Sequence, residues 1–140
     1  MSKPKRPKFI ASLTFRAFEM PPTQVESLVG TPATELGLVG TSRKLGTRPL
    51  QRSFASWKVI FPDNTSLDEM IPTLLASVGG ADRVQAVQEK VKAEFLEVDL
   101  AMWVKDSDEQ EGGFIDPKTI AMLARLGATL SLGLYSRDDA

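Results

Sequence analysis

Four cationic side chains cluster within one short, glycine-interrupted stretch of the chain, and together they could bind an anion. They are Arg43, Lys44, Arg48 and Arg52. Guanidinium and ammonium groups recognise phosphate and carboxylate groups, so the chemistry expected here is capture of a phosphate or of an acidic protein surface. Glycines 37, 40 and 46 suggest a phosphate-cradling loop, but neither Gly-Lys-Ser/Thr nor Gly-x-Gly-x-x-Gly occurs, so no motif supports it.

Glu97 and Asp99 are the carboxylates best spaced to act as a pair. The segment from Leu96 to Val104 alternates apolar and polar residues, which places both carboxylates on one face of a predicted strand. Such a pair could serve as general acid and base, but carboxylates open to water have no reason for a shifted pKa. The alternative is a solvated face on which Arg16 pairs with Glu97 or Asp99.

Three residues with side-chain oxygens, Asp106, Asp108 and Gln110, have the spacing of the first ligands in a calcium-binding loop. The sixth position of such a loop needs glycine and the twelfth needs glutamate. Here those positions hold Glu111 and Pro117, so the pattern indicates a solvated loop rather than a calcium site.

The chain contains no cysteine and no histidine. This excludes thiolate nucleophiles, disulfides, serine-histidine triads and the common zinc sites. Any catalysis would depend on Asp, Glu, Lys or the single tyrosine, each needing a large pKa shift or a bound metal at neutral pH. We therefore expect no cofactor and a role other than catalysis.

The charges divide unevenly along the 140 residues. Residues 1–60 hold ten Lys and Arg against three acids, whereas residues 61–140 hold seven against fifteen. The two halves either neutralise each other across one domain or leave a basic face. The sequence pI near 5.5 and the lack of aromatic residues among the basic ones argue against nucleic acid as a partner.

Composition and length predict one domain over residues 9–136, with a disordered basic tail at 1–8 and a polar tail at 137–140. No stretch approaches the roughly 18–20 apolar residues of a membrane span, so the expected location is the cytoplasm.

Alternating apolar residues predict the strands, and turn or capping residues punctuate them. The expected strands cover residues 9–18, 36–41, 54–61, 96–104 and 130–135. In the third of these, Trp57, Val59 and Phe61 are expected to point to the core.

Three helical regions are expected between the strands. The first begins at Pro22 and ends at Gly30, and the last follows Asp116-Pro117 and ends at Gly127. The middle region starts at a capping box, Ser66 to Glu69, and continues past two interruptions, at Pro72 and at Gly79-Gly80, to a segment capped by Asp82. In the last helix the expected apolar stripe is Ile120, Leu123, Ala124 and Leu126.

This order of elements predicts an α+β fold. Its first six elements match the split βαβ (ferredoxin-like) arrangement, a mainly antiparallel sheet with helices on one face, here extended by one helix and one strand to about five strands. The opposite face would show Ser12, Thr14, Arg16, Lys58, Glu97, Asp99, Ser131 and Tyr135. The aromatic residues Phe18, Phe95 and Trp103 are candidates for the same face.

The pattern as a whole resembles a bacterial family known only as a domain of unknown function, number 4279. The resemblance covers roughly residues 9–136 and rests on short motifs in a fixed order. They are Leu13-Thr14-Phe15, Gly30-Thr31-Pro32, Arg43-Lys44 with Gly46, Trp57 after Arg52, Gly112-Gly113-Phe114, Leu126-Gly127 and Leu132-Gly133-Leu134-Tyr135. It implies a small cytoplasmic α+β protein and supplies no reaction, cofactor or catalytic residue.

The leading functional hypothesis is a non-enzymatic protein-interaction or binding module, whose partner is another protein or a second copy of the chain. Its expected contact residues are the four cations Arg43, Lys44, Arg48 and Arg52, with Trp57 and Tyr135 as aromatic anchors. Two alternatives stay open, a sensor of a small anion or nucleotide and a carboxylate-based, metal-assisted hydrolase.

Overall fold

The computed structural model describes residues 9–40, 52–62, 65–104 and 113–136. Five strands are present in these ranges: β1 (Phe9–Arg16), β2 (Glu35–Gly37), β3 (Phe54–Phe61), β4 (Phe95–Val104) and β5 (Thr129–Ser136). Four helices accompany them: α1 (Pro22–Val29), α2 (Leu67–Ser77), α3 (Ala81–Val91) and α4 (Pro117–Leu126). Both predicted tails lie outside the described residues.

The strands form one sheet in the order β2-β3-β1-β4-β5. Strand β1 is antiparallel to both of its neighbours, β3 and β4. The first four strands of this order have the positions predicted for the split arrangement, and β5 adds to β4 in parallel after the crossover helix α4. The α+β prediction is therefore confirmed.

Strand β1 ends two residues earlier than predicted. The backbone of Ala17 has a φ of +65°, which a strand cannot accommodate. Its N–H donates to the carbonyl of Ser53 at 2.8 Å, and its carbonyl accepts from the N–H of Glu94 at 2.9 Å. The turn at Ala17 thus ties the end of β1 to the chain entering β3 and β4. Strand β2 is shorter than the segment 36–41 predicted for it.

The core lies between the sheet and the helices. Alternate residues of the central strand, such as Leu13 and Phe15, are buried against helix residues such as Leu74. Trp57 stands opposite Leu13 in the register, makes an edge-to-face contact with Phe15, and donates from Nε1 to the carbonyl of Thr31 at 2.9 Å. Each large apolar side chain buried here contributes about 1.5–3 kcal/mol.

Most predicted helix ends are confirmed. Gly30 and Gly127 end their helices with φ values of +82° and +66°, a conformation that favours glycine. Asp116 caps α4 through Oδ1, which accepts the N–H of Thr119 at 2.8 Å. Within α4, however, the core side is Thr119, Leu123 and Leu126, whereas Ile120 and Ala124 of the predicted stripe are exposed.

The middle helical region departs from prediction in its caps. Helix α2 starts after Ser66 as expected, but neither side chain of the predicted capping box makes a capping bond, and the N–H of Glu69 bonds to the backbone oxygen of Ser66 instead. Gly80 occupies the cap position of α3 that was predicted for Asp82. Asp82 instead pairs with Arg125 of α4 at 2.9 Å.

Pro72 neither divides nor restarts α2, which runs unbroken through it. The residue lies on the exposed side of the helix. Water can therefore satisfy the carbonyl group that loses its helical partner.

In the described ranges, no helix is both long and apolar enough to cross a bilayer.

Candidate functional site

One face of the sheet is left without a described helix, because the residues of all four helices that enter the core meet the other face. We call it the uncovered face. Cross-strand partners share a face, so the register assigns its members. They are Ile10, Ser12, Thr14, Arg16, Glu35, Gly37, Phe54, Ser56, Lys58, Ile60, Phe95, Glu97, Asp99, Ala101, Trp103, Thr129, Ser131, Gly133 and Tyr135.

All eight residues that the sequence predicted for this face are on it. Of the three aromatic candidates, Phe95 and Trp103 are there as well. Phe18 is not, because it follows the turn at Ala17 and is buried in the core.

Two arginines and two phenylalanines occupy one end of the uncovered face. The guanidinium carbon of Arg16 lies 5.5 Å from the ring centre of Phe54, and that of Arg52 lies 4.9 Å from the ring centre of Phe95. Each such contact contributes about 0.5–1 kcal/mol at an exposed site. Arg16 also pairs with Glu97, with Nε and Oε2 3.4 Å apart, which confirms the predicted pairing.

A pair of hydroxyl groups lies at the centre of the face. Thr14 Oγ1 and Ser56 Oγ are 3.0 Å apart, and the two residues are only 4% and 6% exposed. Each hydroxyl satisfies the other, since a buried hydroxyl without a partner would be costly.

Asp99 stands opposite Ser12 of β1 and has a raised pKa. Partial burial raises it most, and the charge of Glu97 adds to the rise, while a hydrogen bond from Ser131 and the charge of Arg16 act in the opposite direction. The expectation of an unshifted carboxylate is therefore wrong for Asp99, because partial burial in the sheet removes part of its hydration.

The other end of the face is aromatic. The rings of Trp103 and Tyr135 stack with their centres 5.1 Å apart and their planes at 23°. Tyr135 is half exposed. Its ring leans back over Gly133, where a Cβ atom would come within 3.0 Å of it. Glycine at 133 thus leaves room for the tyrosine ring, which a side chain at that position would crowd.

A cavity of about 880 Å³ opens at the sheet end where β1 stops and β3 and β4 start. Three cations, Arg52, Lys90 and Lys92, line it together with two acids, Glu19 and Glu94. The remaining lining residues are Ala17, Phe18, Met20, Val39, Ser53 and Val91. Among the described residues, the two that have a positive φ without being glycine, Ala17 and Lys92, both border this cavity.

Of the predicted contact residues, the structure separates Arg52 from Tyr135. Arg43, Lys44 and Arg48 lie outside the described ranges, as do Asp106, Asp108 and Gln110. Arg52 borders the cavity, and Tyr135 lies at the far end of the uncovered face. Arg52 contacts Phe95 and Tyr135 contacts Trp103. Phe95 and Trp103 are at opposite ends of β4, roughly 26 Å apart at about 3.3 Å per residue.

Trp57 is not a surface anchor. Its side chain is buried and its indole N–H is already bonded to Thr31, so a partner cannot reach it in this fold. The residues that sequence reasoning missed are Phe54 beneath Arg16 and the two lysines of the cavity, Lys90 and Lys92. The register of β3 against β1 would have indicated Phe54, whereas no local pattern points to the lysines.

Within the described ranges, no group of three carboxylates comes together in a way that could hold a metal ion.

The fold and its surface define a class, an open-faced α+β domain with an aromatic and charged sheet surface and a mixed-charge cavity at one sheet end. Over residues 7–137 the chain matches the family described as a domain of unknown function (DUF4279), and it belongs to that family. No curated protein and no solved structure matches it.

Proposed function

We propose that this protein is a non-enzymatic binding module that holds a protein partner against the uncovered face of its sheet. The observation that carries the proposal is the Trp103–Tyr135 stack, an aromatic pair of which Tyr135 is half exposed. Tryptophan, tyrosine and arginine dominate the energetics of protein interfaces. The face presents all three types, and stacking on Phe54 and Phe95 already orients Arg16 and Arg52.

The charges of this face favour a partner held by apolar contact. Arg16 and Lys58 are offset by Glu97 and Asp99, so the middle of the face has no strong net charge to attract a highly charged partner. Ile60, which is 66% exposed, extends the apolar part of the surface on β3. We expect the affinity to depend on the aromatic end and to change little with salt.

The same geometry supports binding over catalysis at the two carboxylates. Glu97 is paired with Arg16, and neither Glu97 nor Asp99 lines the cavity at the sheet end. A catalytic pair would need a concave, water-excluding site around it. The carboxylates instead lie on a broad sheet surface.

The test is selective capture from a lysate of the cells that make the protein. Tagged wild type, Tyr135→Ser and the control Ile120→Ser are compared, because Ile120 is similarly exposed but lies on α4, on the other side of the sheet. We expect a protein that wild type and the control retain and that Tyr135→Ser loses, with about a tenfold weaker Kd once purified, equivalent to about 1.4 kcal/mol. Equal capture by all three would refute the proposed face.

The cavity supports a second candidate function, binding of a small anion. Arg52, Lys90 and Lys92 surround it, and three cations outnumber the two acids. A calorimetric titration with inorganic phosphate should show binding that is weaker in Lys90→Ala. Binding should be unchanged in the control Lys118→Ala, because Lys118 lies on α4 and does not line the cavity. Absence of binding to the wild type would eliminate this candidate.

A further inference from the structure

Strand β5 ends the sheet with an edge that nothing in the described ranges pairs. Its eight residues, Thr129–Ser136, include no charged residue and no proline. Natural sheets normally protect an edge with charges, proline or a very short strand. The opposite edge follows that rule, since β2 has only three residues. Strand β5 does not, and within the described ranges no strand pairs with its outer N–H and C=O groups.

The side chains of β5 are also incompletely covered on the face that carries the core. Leu130 is half buried, whereas Leu132 and Leu134 are 58% and 68% exposed. Their neighbours in β4, Leu100 and Met102, are both buried. The apolar row therefore continues past the covered part of the sheet and ends in solvent.

We propose that a second copy of this chain pairs with β5 in antiparallel fashion, about a two-fold axis at Leu132, to give one continuous sheet of ten strands. In this register Leu132 faces Leu132 of the second copy, and Leu130 faces Leu134 in both directions. Shifting the axis to residue 131 or 133 leaves one of the three leucines opposite alanine or serine. The axis at Leu132 is the register that pairs all three.

Self-pairing also suits the rest of the strand. On the uncovered face the same register places Ser131 opposite Gly133 and Thr129 opposite Tyr135, so no like charges meet. A two-fold axis requires each strand to be complementary to itself, and an uncharged strand with centred leucines meets that requirement. About eight backbone hydrogen bonds would join the two strands.

The oligomeric state of the full chain tests the proposal. Sedimentation velocity across a dilution series should give twice the chain mass of 15.3 kDa at high concentration. Leu132→Lys should be monomeric because two lysines would stand directly opposite each other. The control Ile60→Lys adds the same charge at a comparably exposed site on β3 and should remain dimeric. A monomeric wild type, or a Leu132→Lys variant as dimeric as wild type, would overturn it.

Cross-linking tests the register without charging the edge. The chain has no cysteine, so a single introduced cysteine can form a disulfide only with the same residue of a second copy. In the proposed register the two Cβ atoms at 132 are about 4.5–5.5 Å apart, close to disulfide distance. Two residues at 134 would be separated by roughly 13 Å along the strands. Leu132→Cys should therefore form a disulfide-linked dimer and Leu134→Cys should not.

Cross-linking of Leu134→Cys as readily as Leu132→Cys, or of neither, would refute the register. These outcomes are distinguishable from the partner-capture test, because sedimentation and cross-linking measure self-association of the purified chain, whereas capture detects a different protein. A dimer that fails to capture any protein would contradict the proposed function alone.

Discussion

Removal of either hydroxyl from the central pair of the uncovered face should destabilise the protein more than removal of both. Thr14→Val keeps the shape of the side chain but leaves Ser56 Oγ without its partner 3.0 Å away. Ser56→Ala does the same to Thr14. Because both residues are buried, each single variant should lose about 1–2 kcal/mol of unfolding free energy, the cost of an unpaired buried hydroxyl. The double variant has no unpaired group and should lose less than about 1 kcal/mol.

Urea unfolding followed by tryptophan fluorescence measures this difference. With a slope of about 2 kcal/mol per molar urea, a loss of about 1–2 kcal/mol moves the midpoint by roughly 0.5–1 M. Thr129→Val is the control, since Thr129 is exposed and its hydroxyl can bond to water. If the double variant lost the sum of the two single losses, the two hydroxyls would not depend on each other, and the reasoning would be refuted.

Three further changes test other parts of the structure. Asp99→Asn should raise the unfolding free energy at pH 7, because burial and the neighbouring carboxylate raise the pKa of Asp99 and so disfavour its charged form. Wild type should gain the same stability as the pH falls through the raised pKa, so the urea midpoints of the two proteins should converge near pH 4. Asp116→Ala should lower Tm, and Asp116→Ser, which can also cap the helix, should restore it. Hydrogen bonds at the start of α4 lower the pKa of Asp116, so its contribution to stability is present above pH 4 and is lost as the pH falls through the lowered pKa. Ala17→Gly should stabilise the fold by up to about 1 kcal/mol, because glycine adopts the positive φ without strain. The control Ala101→Gly in β4 should destabilise the fold. Equal urea midpoints for these two variants would disprove the strain at Ala17.

Local patterns were sufficient to predict most of the fold. Strands β1, β3 and β4 carry clear alternation, and each is long enough to bury one face. Gly127 and Asp116 mark helix ends through conformational and hydrogen-bonding preferences that act within a few residues. The pairing of Arg16 with Glu97 followed from strand order together with alternation. These features depend on short-range chemistry or on topology that the element order already limits.

The candidate site was predicted less well because it depends on contacts between distant elements. The cavity combines the end of β1, the entrance to β3 and the last turn of α3, and no single segment carries its signature. Trp57 was predicted both as a core residue and as an anchor; its contacts with Phe15 and Thr31 place it in the core. The raised pKa of Asp99 likewise requires neighbours from other strands.

The central position of β1 also affects how the chain is made. It precedes both of its partners, and contacts such as Thr14 with Ser56 and Arg16 with Glu97 join residues 42 and 81 positions apart. On the ribosome, β1 therefore emerges with two unpaired edges, one of which can pair once β3 has been synthesised and the other only after β4. Such long-range pairing makes folding slow and leaves an apolar strand exposed in the meantime. The nascent chain should accordingly depend on chaperone protection until β4 has emerged.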